Sequence, residues 1–110
     1  MNDEMNEVKD TILAFIININ TRIDYISDRY RVEGELEDER VVNLLDDLQA
    51  LAEGIDLIKE YYENIDLHEF REKLDMMASA LEDKDISLFT DIMRYELRDL
   101  LEYLKECLNN

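Results

Sequence analysis

Glu60 and Glu63, three residues apart, and Glu72 and Asp75, also three apart, have a type and spacing that could do chemistry. Residues three apart share a helix face. Each pair could therefore offer two hard oxygens to Mg²⁺, which carboxylates hold alongside the phosphates of a substrate. The chemistry would be metal-assisted hydrolysis of a nucleotide. The same spacing recurs at Glu4/Glu7 and Glu69/Glu72 and, ending in aspartate, at Glu35/Asp38, Glu53/Asp56, Glu82/Asp85 and Glu96/Asp99. A spacing repeated this often among 29 acids in 110 residues selects no site. The 12 lysines and arginines converge in no segment that could clamp a triphosphate.

Other chemistries fare no better. His68 is the single histidine and Ile65 stands three before it, which excludes the Glu-x-x-His pairs of di-iron bundles. Cys107, the single cysteine, has only Lys105 as a basic neighbour, and a nucleophile needs an activating base. It reads as a small hydrophobe near a helix end. Glycine-rich phosphate loops are absent, and Ser27, Ser79 and Ser87 share one histidine in the whole chain. The expectation is no catalytic, cofactor or metal site. A Mg-dependent all-α nucleotide pyrophosphohydrolase is the enzyme alternative.

The elements beneath these residues are set by apolar spacing. Ile12, Ile16, Ile19, Ile23, Ile26 and Tyr30 step by three or four, as do Leu44, Leu48, Leu51, Ile55, Ile58, Tyr62 and Ile65. So do Phe70, Leu74, Met77 and Leu81, and then Phe89, Ile92, Glu96, Leu100, Tyr103 and Cys107. Such stripes place an apolar face on each of four helices. No proline interrupts them. The strand-like alternation from Ile17 to Tyr25 is overridden because the stripe crosses it in phase. The first helix should run from Asp3 or Glu4 to about Arg31, with Gly34 as a left-handed cap. Asp38 is the expected N-cap of the second helix. Gly54 inside that helix implies close helix packing or a mild kink. Asp66 and Glu69 have capping-box spacing for a third helix reaching about Glu82, and Asp85 should cap the fourth. Short connections make neighbours antiparallel. The fold expected is all-α: an antiparallel up-down four-helix bundle, third helix short, as one domain over 1–110.

Charge narrows the partners. A net charge of −17 repels phosphate backbones and anionic lipid, so neither direct nucleic-acid binding nor membrane binding is expected. A basic protein, or one offering an amphipathic helix, is attracted instead. The acidic N-terminus does not resemble a secretory signal. The longest apolar run, Ile12 to Ile17, falls far short of the roughly 18 residues of a membrane span. The expected compartment is the cytoplasm.

More apolar surface is present than one bundle needs. Ile12 to Ile17 is apolar at six successive positions, and Leu97, Leu101 and Leu104 broaden the fourth helix beyond its stripe. Leu45, Leu57 and Tyr61 add a flank to the second. Leu13, Ile17, Leu97, Leu101 and Leu104 are therefore expected to form an interface, most simply that of a homodimer. Glu96 is the one acid on an apolar stripe, and burial would require a partner for it.

The stretch Asp47-Leu48-Gln49-Ala50-Leu51-Ala52-Glu53-Gly54-Ile55-Asp56-Leu57-Ile58 and the stretch from Ala80 to Asp85, followed by Leu88, Asp91-Ile92 and Tyr95 to Glu102, carry a resemblance. The chain resembles a group of small acidic helical bacterial proteins of unknown function, over about two thirds of its length. The resemblance implies a helical fold and carries over no functional residue. The function expected is that of a non-enzymatic interaction module, adaptor or chaperone-like, binding through an apolar patch with an acidic rim. An acidic decoy of a basic nucleic-acid-binding protein is a further alternative.

Overall fold

Ile12, Ile16, Ile19, Ile23 and Ile26 all lie buried along one side of helix α1, Asp3–Glu33, in a computed structural model that describes residues 3–109. The alternating stretch from 17 to 25 is helical throughout. Asp3 and Glu4 in the first turn and Arg31 in the last complement the helix dipole. The helix stops at Gly34, whose φ of +73° only glycine adopts without strain. Its N–H donates to the Tyr30 carbonyl at 2.7 Å.

Helix α2 spans Asp38–Ile58. Asp38 is its first helical residue and not its cap. Glu37 occupies the cap position without capping, because Arg29 at 3.1 Å and Arg40 at 2.8 Å hold its carboxylate. A 3₁₀ turn, Lys59–Tyr61, follows, so Tyr62 and Ile65 belong to the connection and not to a longer α2. Asn64 turns that connection with φ +69°. Tyr103 pins it: its hydroxyl donates to the Asn64 carbonyl and accepts the Asp66 N–H at 3.1 Å. Burial pushes this phenol's pKa up.

Helix α3, His68–Glu82, has Leu67 in its cap position. The expected capping box does not form. The Asp66 carboxylate instead accepts the His68 N–H at 2.8 Å, two residues on, an Asx turn that leads into the helix. Asp85 does cap helix α4, Ile86–Asp91, accepting the Leu88 N–H at 3.1 Å. A π-helical turn, Ile92–Leu97, joins α4 without a break to α5, Arg98–Asn109. Among the described residues the fold is all-helical, with four helical rods and no strand. The third rod is the shortest.

The π turn overturns the sequence register of the last rod. It inserts one extra residue into the helical path, which rotates everything beyond it by about 100°. The core-facing stripe is therefore Phe89, Ile92, Met93, Leu97, Leu101, Leu104 and Leu108, all buried. Leu100, Tyr103 and Cys107, assigned to the core from periodicity, are only partly buried. Glu96 is exposed and paired with Lys73 at 3.0 Å. No buried carboxylate needs explaining there.

Helix α1 packs on α2, the π turn and α5, while α2 packs on α3, and α3 on α4 and the π turn. The rods thus close around one core. Its length, 46 Å, is what 31 residues of α1 supply at about 1.5 Å each. Among the described residues, each of the four contacts between neighbouring rods carries a cross-rod ion pair. Arg22–Asp47 at 2.6 Å joins α1 to α2, and Arg71–Asp56 joins α2 to α3. Lys73–Glu96 joins α3 to the π turn, and Arg98–Asp24 joins α5 to α1. In so acidic a chain these few cations relieve repulsion where the helices meet.

Asp56 shows the effect most clearly. Arg71 first, then Lys59, holds its pKa at about 2, down from an ordinary 3.8. A depressed carboxylate stabilises the fold above its unfolded pKa, and that contribution is lost as pH falls through the folded one. Asp56→Asn should therefore lower stability at neutral pH, by less than about 1 kcal/mol because the pair is solvent-screened. Urea melts should show this difference shrinking between pH 3.8 and about 2. A difference independent of pH would contradict it.

Candidate functional site

Three of the five residues expected at an interface are inside the protein. Leu97, Leu101 and Leu104 lie in the chain's own core, because the π turn rotates them inward. Leu13 is partly buried against that core, and only Ile17, 57% exposed, faces solvent fully. The collar from Ile12 to Ile17 dissolves in the same way: Ile12 and Ile16 are buried and Phe15 packs against the core. What remains in solvent is Ile17 and Ala14, with parts of Leu13 and Phe15.

The carboxylate pairs do not assemble either. Glu60, Glu63, Glu72 and Asp75 are all exposed. Glu72 stands 3.6 Å from His68 Nε2. Among the described residues, no three His, Cys, Asp or Glu side chains stand together as a metal ion would need. Arg22, Arg71, Lys73 and Arg98 are engaged between helices, while Arg29 and Arg40 lie over the Tyr25 ring and hold Glu37. A hollow of about 470 Å³ beside the π turn is lined by Asp66, Glu69, Glu96 and Asp99, which makes it repellent to phosphate.

An apolar surface lies where the first turns of α1 meet the last turns of α2. Val8 and Ile12 from α1 face Leu57 and Ile58 from α2 across a groove of about 500 Å³. Ile12 and Ile58 are core residues that form its floor, while Val8 is 42% and Leu57 78% exposed. Leu57 sits there because the α2 stripe, Leu51, Ile55 and Ile58, already fills the core side. Gly54 lies one turn before Ile58 and also lines the groove. A Cβ at Gly54 would meet nothing within 4 Å. Close packing inside the chain therefore does not account for this glycine, and α2 runs on past it to Ile58.

Glu4 and Glu7 stand along the α1 side. Unlike the acids between helices, neither has an ion pair among the described residues. Thr11 is the remaining polar residue of the lining, and no cation contributes to it. The arrangement can bind an apolar surface and favours positive charge next to it. Sequence reasoning placed Leu57 on the flank of the second helix but did not join it to Val8 or Gly54. The available signal was the glycine, an unexplained cost inside an otherwise strong helix.

The family model described as "Domain of unknown function (DUF8042)" matches residues 7–107. No curated protein and no solved structure matches the chain.

Proposed function

The chain belongs to the DUF8042 family, a description that assigns no activity, and from that premise we propose that it is a non-enzymatic interaction module of the cytoplasm. Its rods form an antiparallel up-down bundle, a reading supported by the short connections at 34–37 and 83–85 and by the lateral packing of consecutive rods. The groove between α1 and α2 receives an apolar segment of a protein partner. The observation that carries this reading is the pairing of exposed Leu57 and Val8 over an apolar floor. Two exposed apolar side chains over an apolar floor form a recess that can seat an apolar anchor of a partner. No helix among the described residues is long and apolar enough to cross a membrane.

The test compares proteins captured from the native cell by the wild type, by Leu57→Asp and by Ile17→Glu. A partner lost with Leu57→Asp and kept with Ile17→Glu supports the groove. Capture that ignores Leu57→Asp overturns it, as does Mg²⁺-dependent phosphate release from nucleoside triphosphates by the purified protein.

A further inference from the structure

Close packing within the chain does not require a glycine at position 54. Its φ lies outside the left-handed region, no neighbouring atom crowds it, and it sits in the interior of a helix. Glycine there weakens the helix relative to alanine. It contributes bare backbone to the groove lining, together with Thr11 of α1 and Leu57 of α2. An approaching helix could come closer over Gly54 than over any residue that carries a side chain, and helix-in-groove recognition uses such an approach to seat apolar anchors at i, i+3, i+4 and i+7.

Charge selects among the possible occupants. Among the described residues the groove lining holds two carboxylates without ion-pair partners, Glu4 and Glu7, and no cation. A second copy of this chain would bring its own −17 against the first. A two-fold contact would also set the same acidic edge against itself. A helix with lysines or arginines flanking its apolar face would instead place cations beside Glu4 and Glu7 while its leucines cover Leu57, Val8 and Ile58.

We infer that the groove over Gly54 is a docking site for a basic amphipathic helix of a partner protein, with Gly54 as the point of closest approach and Glu4 and Glu7 as the charged edge. This rests on the interaction-module reading above and adds the class of partner to it.

The probes are two synthetic helical peptides of about 18 residues, long enough to hold helix when bound. Both carry leucine at i, i+3, i+4 and i+7; one has lysine and the other glutamate at the remaining positions. Calorimetric titration against the full chain should show one-to-one binding of the leucine/lysine peptide, weakening several-fold between roughly 50 and 300 mM NaCl. Gly54→Leu and Leu57→Asp should each weaken it about tenfold or more, and Ile17→Glu should not. Leu57→Asp makes the chain more acidic, so attraction by overall charge alone would leave affinity equal or raise it.

Folding is monitored separately. Gly54→Ala should raise the melting temperature by roughly 3–6 °C, and Gly54→Leu should melt no lower than the wild type. Unchanged affinity in Leu57→Asp, or no binding of the leucine/lysine peptide, overturns the proposal. Equal groove-dependent binding of the leucine/glutamate peptide overturns the basic partner and leaves the interaction groove standing. A dimer in sedimentation at roughly 100 µM that Leu57→Asp dissociates assigns the groove to a second copy and likewise overturns the proposal.

Discussion

Leu101→Glu should unfold the protein at room temperature, whereas Ile17→Glu should shift its melting temperature by only a few degrees. Leu101 is fully buried. Replacing it removes a core side chain worth about 2–5 kcal/mol and places a carboxylate among apolar groups with no partner. The two terms together compete with the whole stability of a small domain, roughly 5–15 kcal/mol. Ile17 is mostly in water, and exposed positions usually tolerate change within about 0.5 kcal/mol. The milder Leu101→Ala should cost about 2–5 kcal/mol and leave a measurable folded state. Circular dichroism with urea melts would read all three. A well-folded Leu101→Glu protein of smaller size than the wild type would show that this face belongs to an interface between copies after all.

Deleting Glu102 should destroy most of the stability, while deleting Tyr95 should leave the protein folded. Both residues are exposed, so side-chain loss explains neither outcome. Removing one residue from α5 rotates all that follows by about 100°, which takes Leu104 and Leu108 out of the core. Two buried leucines displaced at about 2–5 kcal/mol each approach the stability of the domain. A deletion inside the π turn removes the extra residue itself and lets the path close as an α-helix. Phe89, Ile92, Met93 and the following leucines then fall on simple three-four spacing with their places in the core unchanged. The shortened chain loses the surface contact of Arg94 with the Tyr95 ring, and the Arg98 N–H exchanges the Tyr95 carbonyl for another acceptor of the closed helix. Equal damage from the two deletions would mean that the register shift is not absorbed between Ile92 and Leu97.

The first three rods were legible because their stripes admit one register. Ile12 to Ile26 in α1, Leu44 to Ile58 in α2 and Phe70 to Met77 in α3 are the apolar lines that run on through their helices, while adjacent lines break off in polar residues, Leu13 and Ile17 at Asn20 and Leu45 at Gln49, so periodicity names the buried face. Gly34 and Asp85 were legible for a similar reason, since each provides backbone chemistry its neighbours lack. The caps at Asp38 and Asp66 were displaced by local competition. Two arginines draw Glu37 away from capping, and Asp66 turns back to the His68 N–H.

The last rod admits two registers. Leu100, Tyr103 and Cys107 form one apolar line, and Leu97, Leu101, Leu104 and Leu108 form another one residue away. Glu96 on the first line was the single sign against it, answered in the folded chain by Lys73 of α3. The all-helical class and the acidic exterior belong to the sequence by itself, because spacing and charge act along the chain. The tertiary structure alone decided which leucines are core, because a one-residue π insertion changes no composition and is settled by which register fills the space left by Ile16, Leu48, Phe70 and Met77. The groove is of the same kind: Val8, Gly54 and Leu57 become neighbours only when α1 packs on α2.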